Sequence, residues 1–508
     1  MLVSILLSFV YFLFFIYLFY RFSFFEIDGF SRKYLVLVFA IKVLFGVVLI
    51  EIYSHFYTTR SAADAFKYYD DAKVIYAALW SHPLDYLRMT FGINSDALDL
   101  YPYYQKMNNW YLADSYTFYN DSRSVIRFNA LVFPFAFGRY VVHMIFMCFL
   151  SLCGLVALFK AFMPFFKQRL ASLAIAIFLV PSVLFWGSGV LKEGLILFAS
   201  GYLIYYFFKL LKEDNKLQIS LYFLLFIGLM VLIKVHILIS LIPGFCIVWW
   251  HARKPQSSIY LKAAIAVIAV FMLAFAVSFT KEESNPFYML AQKQKDFVNL
   301  AKGGFYFEEQ NNYKDTFYVE EKDRAKVLLS NDSVNWRLAD GVKFYRWTKE
   351  ELTDTFIQKN QQNSSYRLLM HLDSSGSRIY VPSIEPNVWS VVMSLPVALS
   401  NVLFRPFVFE AANYLSLFAA LENLWICFFM LLMFLFFKVP KKEEQAIFIF
   451  CFSFVLILFS IIGLTTPVMG AIVRYKIPAL PYLFLLFMLL TDAEKLRNKF
   501  PFLKKFNH

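Results

Sequence analysis

Three aspartates fall within eight positions of the segment SAADAFKYYDDAKVIYAAL, residues 61–79. At helical spacing Asp64, Tyr68 and Asp71 share a face, with Asp70 beside them. A carboxylate so placed can take a proton from an attacking hydroxyl. Cations stand at the ends of separate apolar runs: Lys192 after a Gly-Ser-Gly turn, Lys234 and His236, Arg405 in FRPF, and Arg474 with Lys476 in TTPVMGAIVRYKIPALP. An arginine fork donates to a phosphate in pairs, whereas lysine acts as a point charge. A base beside cations that stabilise a departing phosphate is the equipment of glycosyl transfer.

Blander readings stand beside this one. Asp64 can be a helix N-cap on a solvated amphipathic helix. Lys192 and Glu193 can pair with one another across a tight re-entry turn, and each cation taken singly can snorkel to lipid headgroups. Glu422, inside an apolar run, and Glu410, just before it, can replace the aspartates as base or neutralise Arg405. Should a divalent cation take part, the aspartate oxygens suit Mg²⁺ or Mn²⁺, although the sequence does not require one.

The elements that must position these groups are membrane spans. Hydrophobic residues make up 60% of the 508 and charged residues only 17%, with 62 Phe, which excludes a soluble globular protein. Apolar runs of about twenty residues recur along the chain, each long enough to cross a ~30 Å hydrocarbon core. The formal charge of +13 does not imply nucleic acid, because the basic residues sit in short links between spans, as the positive-inside rule requires. All five cysteines lie in apolar stretches, so neither a disulfide framework nor a zinc site is expected. The N-terminal apolar run carries its first positive charge only at Arg21, which reads as a retained span with the N-terminus outside.

Alternation of Lys/Arg-rich links then predicts an all-α polytopic fold of about eleven spans with a cytoplasmic C-terminus. Residues 1–53 form two spans, 54–138 a first outer loop carrying the acidic motif, and 139–279 a transmembrane bundle. Residues 280–385 hold 15 Lys/Arg against 16 Asp/Glu and no span-length apolar run, which marks an inserted extracytoplasmic domain. Parity makes 388–404 an interfacial or re-entrant helix interrupted at Pro396, within a C-terminal transmembrane region, 386–491, and a basic cytoplasmic tail follows at 492–508. The inserted domain's aromatics (Phe287, Tyr288, Phe305, Tyr306, Phe307, Trp336, Tyr345, Trp347) read as a small core in preference to a sugar-stacking surface.

DAFKYYDDA (64–72) and RYKIPALP (474–481) resemble two motifs of the GT-C class of integral membrane glycosyltransferases, the acidic first-loop motif and the late Arg-Tyr-x-x-Pro-x-x-Pro pattern. That resemblance implies Asp64 as base, with Asp70 or Asp71 behind it, and Arg474 on the phosphate of a polyprenyl-linked sugar donor. It also implies an acceptor that is a glycan, lipid or protein, and a place in the cytoplasmic membrane, in cell-envelope glycan synthesis. The chain departs from the class in having two spans before the acidic loop and in the insertion at 280–385. It is similar as well to lipid-linked polysaccharide polymerases and ligases of the O-antigen type, which share a large late loop and arginines that contact a lipid diphosphate. A non-catalytic transporter or scaffold is the third alternative; spans such as 223–233 carry no ionisable residue for a proton relay.

Overall fold

The computed structural model describes residues 2–56, 60, 63–110, 120–213, 216–277, 285–309, 312–329, 335–338, 344–347, 352–353, 366–372 and 374–500. The helices run in order α1 (Leu2–Arg21), α2 (Arg32–Phe56), α3 (Asp64–Ser81), α4 (Pro83–Phe91), α5 (Tyr101–Tyr104), α6 (Ser122–Ala136), α7 (Tyr140–Phe162), α8 (Leu170–Phe178), α9 (Pro181–Trp186) and α10 (Lys192–Leu210). They continue as α11 (Lys216–Arg253), α12 (Ile259–Val277), α13 (Pro286–Lys302), α14 (Val388–Phe404), α15 (Tyr414–Leu435), α16 (Gln445–Thr465), α17 (Met469–Tyr475), α18 (Leu480–Leu490) and α19 (Ala493–Lys499).

Among the described residues, eight helical segments are long and apolar enough to cross a membrane. Their apolar surface is not used up by packing: Val3, Leu6, Phe9 and Leu13 of α1 and Val267, Met272 and Leu273 of α12 are exposed. Surface of this kind needs lipid, and the chain is a helical membrane protein of several spans. Eight and about eleven differ at three places. The run expected as a fourth span is split into α8 and α9 just before Pro181, which lacks the N–H that would continue the helix. α10 is made less apolar by Lys192, Glu193 and Lys209, and two expected spans form one kinked helix, α11. α14 is continuous through Pro396, not interrupted there; it buries Ala398 and Val402 and is shorter than a span.

The bundle centres on α7, which is apolar around its whole circumference and buried along most of its length. Its neighbour α10 approaches backbone to backbone. A Cβ placed on Gly201 would stand 2.0 Å from the Gly154 carbonyl oxygen, so only glycine permits this crossing.

The segment between α12 and α14 adds a sheet to the helical framework. Strands β1 (Gly304–Glu309), β2 (Asn312–Glu320), β3 (Val327–Leu329), β4 (Asn335–Leu338), β5 (Phe344–Trp347), β6 (Leu352–Thr353) and β7 (Tyr366–Leu372) pair antiparallel in the order β3-β4-β7-β1-β2-β5-β6. Alternation puts Phe305, Phe307 and Val319 on one face with Val327, Trp336 and Leu368, a small aromatic core. Tyr306 and Tyr318 meet at a tilt with ring centres 5.0 Å apart, and the Tyr318 hydroxyl donates to Asn299 and Gly303 carbonyls at the end of α13. The side chains of Tyr345 and Trp347 lie outside the described residues, as do parts of 54–138 (57–59, 61–62 and 111–119) and the tail from 501. α13 is fastened to the helical body by Gln294, whose Nε2 donates to the Pro382 and Leu464 carbonyls at 2.8 and 2.6 Å.

Candidate functional site: a buried ionic cavity

Five chain segments deliver charge to one place, each by a local device. α3 starts directly at Asp64 after the extended Ala63, so its carboxylate sits in the first turn, where free N–H groups favour an anion. The Gly187-Ser188-Gly189 turn and extended Leu191 open α10 on Lys192 and Glu193. Asp121 precedes α6. In α11 the backbone leaves helical geometry at Lys234 (φ −161°, ψ 88°), and Ser124 Oγ donates to the Leu232 carbonyl there at 2.7 Å, a hydroxyl inserted at the break. α17 ends on Arg474 and Tyr475 before Pro478.

The charges form two linked groups. Arg474 lies between two carboxylates: Nε is 3.1 Å from Glu193 Oε1 and Nη1 is 3.2 Å from Asp64 Oδ2, and its guanidinium covers the Trp186 ring at 5.4 Å. Asp121 takes Lys192 on one oxygen and Lys234 on the other. Lys192 also lies 5.6 Å from the Tyr68 ring centre, and Lys234 5.6 Å from that of Tyr475. Burial works to raise the Asp121 pKa, but the two ammonium groups overcome it and hold the carboxyl well below the ordinary aspartate range. Tyr68, buried beside Asp64, is pushed well above the usual phenol range and stays a neutral donor and acceptor.

These groups surround a small, partly open pocket lined by Asp64, Tyr68, Lys192, Glu193, Ile196, Lys234, His236, Ile237, Arg474, Tyr475 and Pro478. Three cations meet three carboxylates, yet unevenly. One end carries two lysines against one aspartate, a residual positive charge; the other carries one arginine against two acids, a residual negative charge. Within the negative end the acids differ. Glu193 is 5% exposed and committed to Arg474, whereas Asp64 is 40% exposed, and its Oδ1 accepts no hydrogen bond among the described residues. The cavity can therefore receive an anion at one end and offer a carboxylate to a proton at the other.

Asp64, Lys192, Lys234, His236 and Arg474 thus converge; the other expected site residues do not. Asp70 is turned to Arg60, with contacts of 2.8 and 2.9 Å. Asp71 is fully buried and accepts the Asn108 and Asn109 backbone N–H groups at 2.7 Å each, which makes it a staple of the following loop. Arg405 pairs with Glu410 at 3.5 Å and does not line the cavity. Lys476 points the other way from Arg474, donating to Asn423 Oδ1 at 2.6 Å and to the Val402 carbonyl. Glu422 accepts Ser182 N–H at 3.0 Å and its hydroxyl, and is equally structural. Lys192 and Glu193 do not pair with each other. The helix-start sequence Asn-Asp-Ser at 120–122, ahead of an amphipathic run, was the available signal for Asp121, which the motif reading passed over. No group of three His, Cys, Asp or Glu side chains converges as a metal-ligand set among the described residues.

Fold and site together define a multi-pass helical membrane protein with a mixed-charge cavity where α3, α6, α10, α11 and α17 meet. No protein-family model matches the chain, and neither curated proteins nor solved structures gave a match.

Proposed function

We propose that the chain is an integral membrane glycosyltransferase that moves a sugar from a polyprenyl phosphate or diphosphate to an acceptor hydroxyl. The observation that carries this reading is the polarised cavity, with a part-exposed carboxylate at one end and a lysine pair at the other. In the proposed reaction the donor phosphate binds at Lys192 and Lys234, competing with Asp121 for their ammonium groups. Arg474 orients Asp64, and Asp64 takes the acceptor proton as the glycosidic C–O bond to phosphate breaks and the new one forms. Arg405 and Lys476 have no part in it. The α13 helix reaches the same place through Phe297, 6.3 Å from the Tyr475 ring, so the acceptor would lie beneath the inserted domain.

The reading also requires a topology: residues 54–138 and 280–385 on the outer face of the cytoplasmic membrane and about eleven crossings, with α11 bent at Lys234 into two arms and α14 not crossing. Cysteine-accessibility mapping of 54–138 in intact cells tests it, and labelling only after lysis would end the proposal.

The chemical test is Asp64→Asn, a near-isosteric change at a part-exposed position. Full-length protein in proteoliposomes, supplied with radiolabelled polyprenyl-linked sugars extracted from membranes, should lose at least a hundredfold in kcat with little change in donor KM. Unaltered turnover would remove Asp64 from the role. The product separates this reading from that of a lipid-linked polysaccharide polymerase, because one added sugar supports transfer and a ladder of repeat lengths supports polymerisation.

A further inference from the structure

Helix α4 has two apolar faces, and only one of them is packed. Tyr86, Met89 and Thr90 turn inward and are 7%, 0% and 3% exposed, whereas Leu84, Leu87 and Phe91 turn outward at 74%, 42% and 61%. The outward residues recur at i, i+3 and i+7, one stripe of a helix. Its flank is polar and satisfied: Arg88 lies between Asp85 at 3.3 Å and Asp99 at 2.6 Å. An apolar stripe beside such a flank suits the boundary between lipid headgroups and acyl chains.

Connections to the spans bring the stripe close to their apolar surface. Tyr86 donates to the Ala130 carbonyl of α6 at 3.1 Å. Five residues further along α6, the Phe135 carbonyl accepts the hydroxyl of Tyr11 at 2.8 Å, and Tyr11 lies midway along α1 with exposed apolar residues on either side of it. At 1.5 Å per residue, α4 grips α6 about 8 Å from a group hydrogen-bonded to the middle of a span. Leu131 and Phe135 of α6 are themselves exposed between the two helices and continue the apolar surface of α1 towards α4.

We infer that α4 is an interfacial helix that lays Leu84, Leu87 and Phe91 into the lipid headgroup–acyl boundary, the lipid bilayer itself being the partner of this face. The α3–α4 hairpin, and with it the start of α3 at Asp64, is thereby tied to the membrane surface. This inference rests on the membrane fold and not on the proposed chemistry.

Nitroxide labels at Leu84→Cys, Leu87→Cys and Phe91→Cys test it, in full-length protein bearing Cys246→Ser and Cys427→Ser and reconstituted in phosphatidylcholine–phosphatidylglycerol vesicles. The label at Lys73→Cys, an exposed position on α3, serves as the aqueous control. Power-saturation measurements should show the three stripe labels several-fold more accessible to oxygen than to a water-soluble nickel chelate, with the ratio inverted at position 73. Chelate accessibility at 84, 87 and 91 equal to that at 73 would place the stripe in water and overturn the inference. Labels shielded from both reagents would overturn it as well, by showing that protein covers this face.

Discussion

Replacing Asp121 by Asn gives the most direct measure of what the lysine end of the cavity contributes. The two ammonium groups occupy the two oxygens of one carboxylate, so their nitrogens stand roughly 5 Å apart; at an effective dielectric of about 20 their mutual repulsion is about 3 kcal/mol. In the wild type Asp121 offsets that repulsion, and a neutral amide in its place would not. Removing one partner from a buried ion pair costs about 3–5 kcal/mol. Asp121 retains 22% of its side-chain exposure, so solvent screening brings the expected loss to about 2–3 kcal/mol.

The assay is the lifetime of the monodisperse detergent-solubilised protein at a fixed elevated temperature, because membrane proteins of this size unfold irreversibly. With half of the loss expressed in the unfolding rate, the Asp121→Asn lifetime at pH 7 should shorten about tenfold. The sign with pH follows from the lowered carboxyl pKa. Stability contributed by an aspartate held below its unfolded value of about 3.9 is fully present above that pH and is lost as pH falls towards the folded value. The gap between wild type and Asp121→Asn should therefore be constant from pH 7 to about 5 and narrow below about pH 4. Adding Lys192→Met to Asp121→Asn should recover part of the lifetime by removing one of the opposed charges. Equal lifetimes at pH 7, or a gap unchanged on acidification, would refute the bridged-lysine account.

Arg405→Gln should leave kcat and donor KM within about twofold of wild type in the transfer assay, since its partner is Glu410 and not the cavity. Asp71→Asn keeps one acceptor oxygen but turns an NH2 donor onto the other backbone N–H, and should cost about 1–3 kcal/mol, read as a shorter lifetime in detergent with kcat per folded molecule unchanged. The Asp71 carboxyl is raised by burial, against the pull of the Asn108 and Asn109 N–H groups, so its stabilising effect should not grow with pH as that of Asp121 does. Gly201→Ala forces a Cβ to 2.0 Å from the Gly154 carbonyl oxygen and should cost about 3 kcal/mol or more, seen as loss of monodisperse protein on gel filtration.

The membrane class was legible because hydrocarbon thickness sets helix length, and that constraint is written in every apolar run. The span count was less so. A hydropathy pattern cannot show that Pro181 splits one run while the chain passes Pro396 without a break, because neighbouring packing decides whether a proline's lost hydrogen bond matters. The site divides in the same manner. Asp64 and Arg474 could be assigned to one pocket from motif and level in the membrane, although 410 positions separate them, but as base and phosphate ligand and not as each other's partner. Asp70 and Asp71 could not be set apart from Asp64 by type or spacing, since what distinguishes them is the partner each meets: Arg60 for one, the Asn108–Asn109 backbone for the other. Asp121 escaped because its significance depends on two lysines from helices distant in sequence.

Those pairings explain why Lys192 and Glu193 can be held within a membrane bundle at all. The stretch leading to them is pinned at both ends of α9 by charge of the sense that the backbone there demands. At the start, Glu422 of α15 accepts the Ser182 N–H, meeting donors that the first turn leaves unpaired. At the end, the Gly187 carbonyl receives Lys42 Nζ of α2 at 3.1 Å and Ser151 Oγ of α7 at 2.7 Å. Each of these bonds gives a polar side chain inside a span the partner without which it would be far costlier to bury. With the turn fixed from three helices, Lys192 and Glu193 leave it towards different partners, one to Asp121 and the other to Arg474. That divergence separates the positive end of the cavity from the negative one. Had the two side chains paired with each other, they would have cancelled locally and left no polarity for a phosphate and a proton acceptor to share.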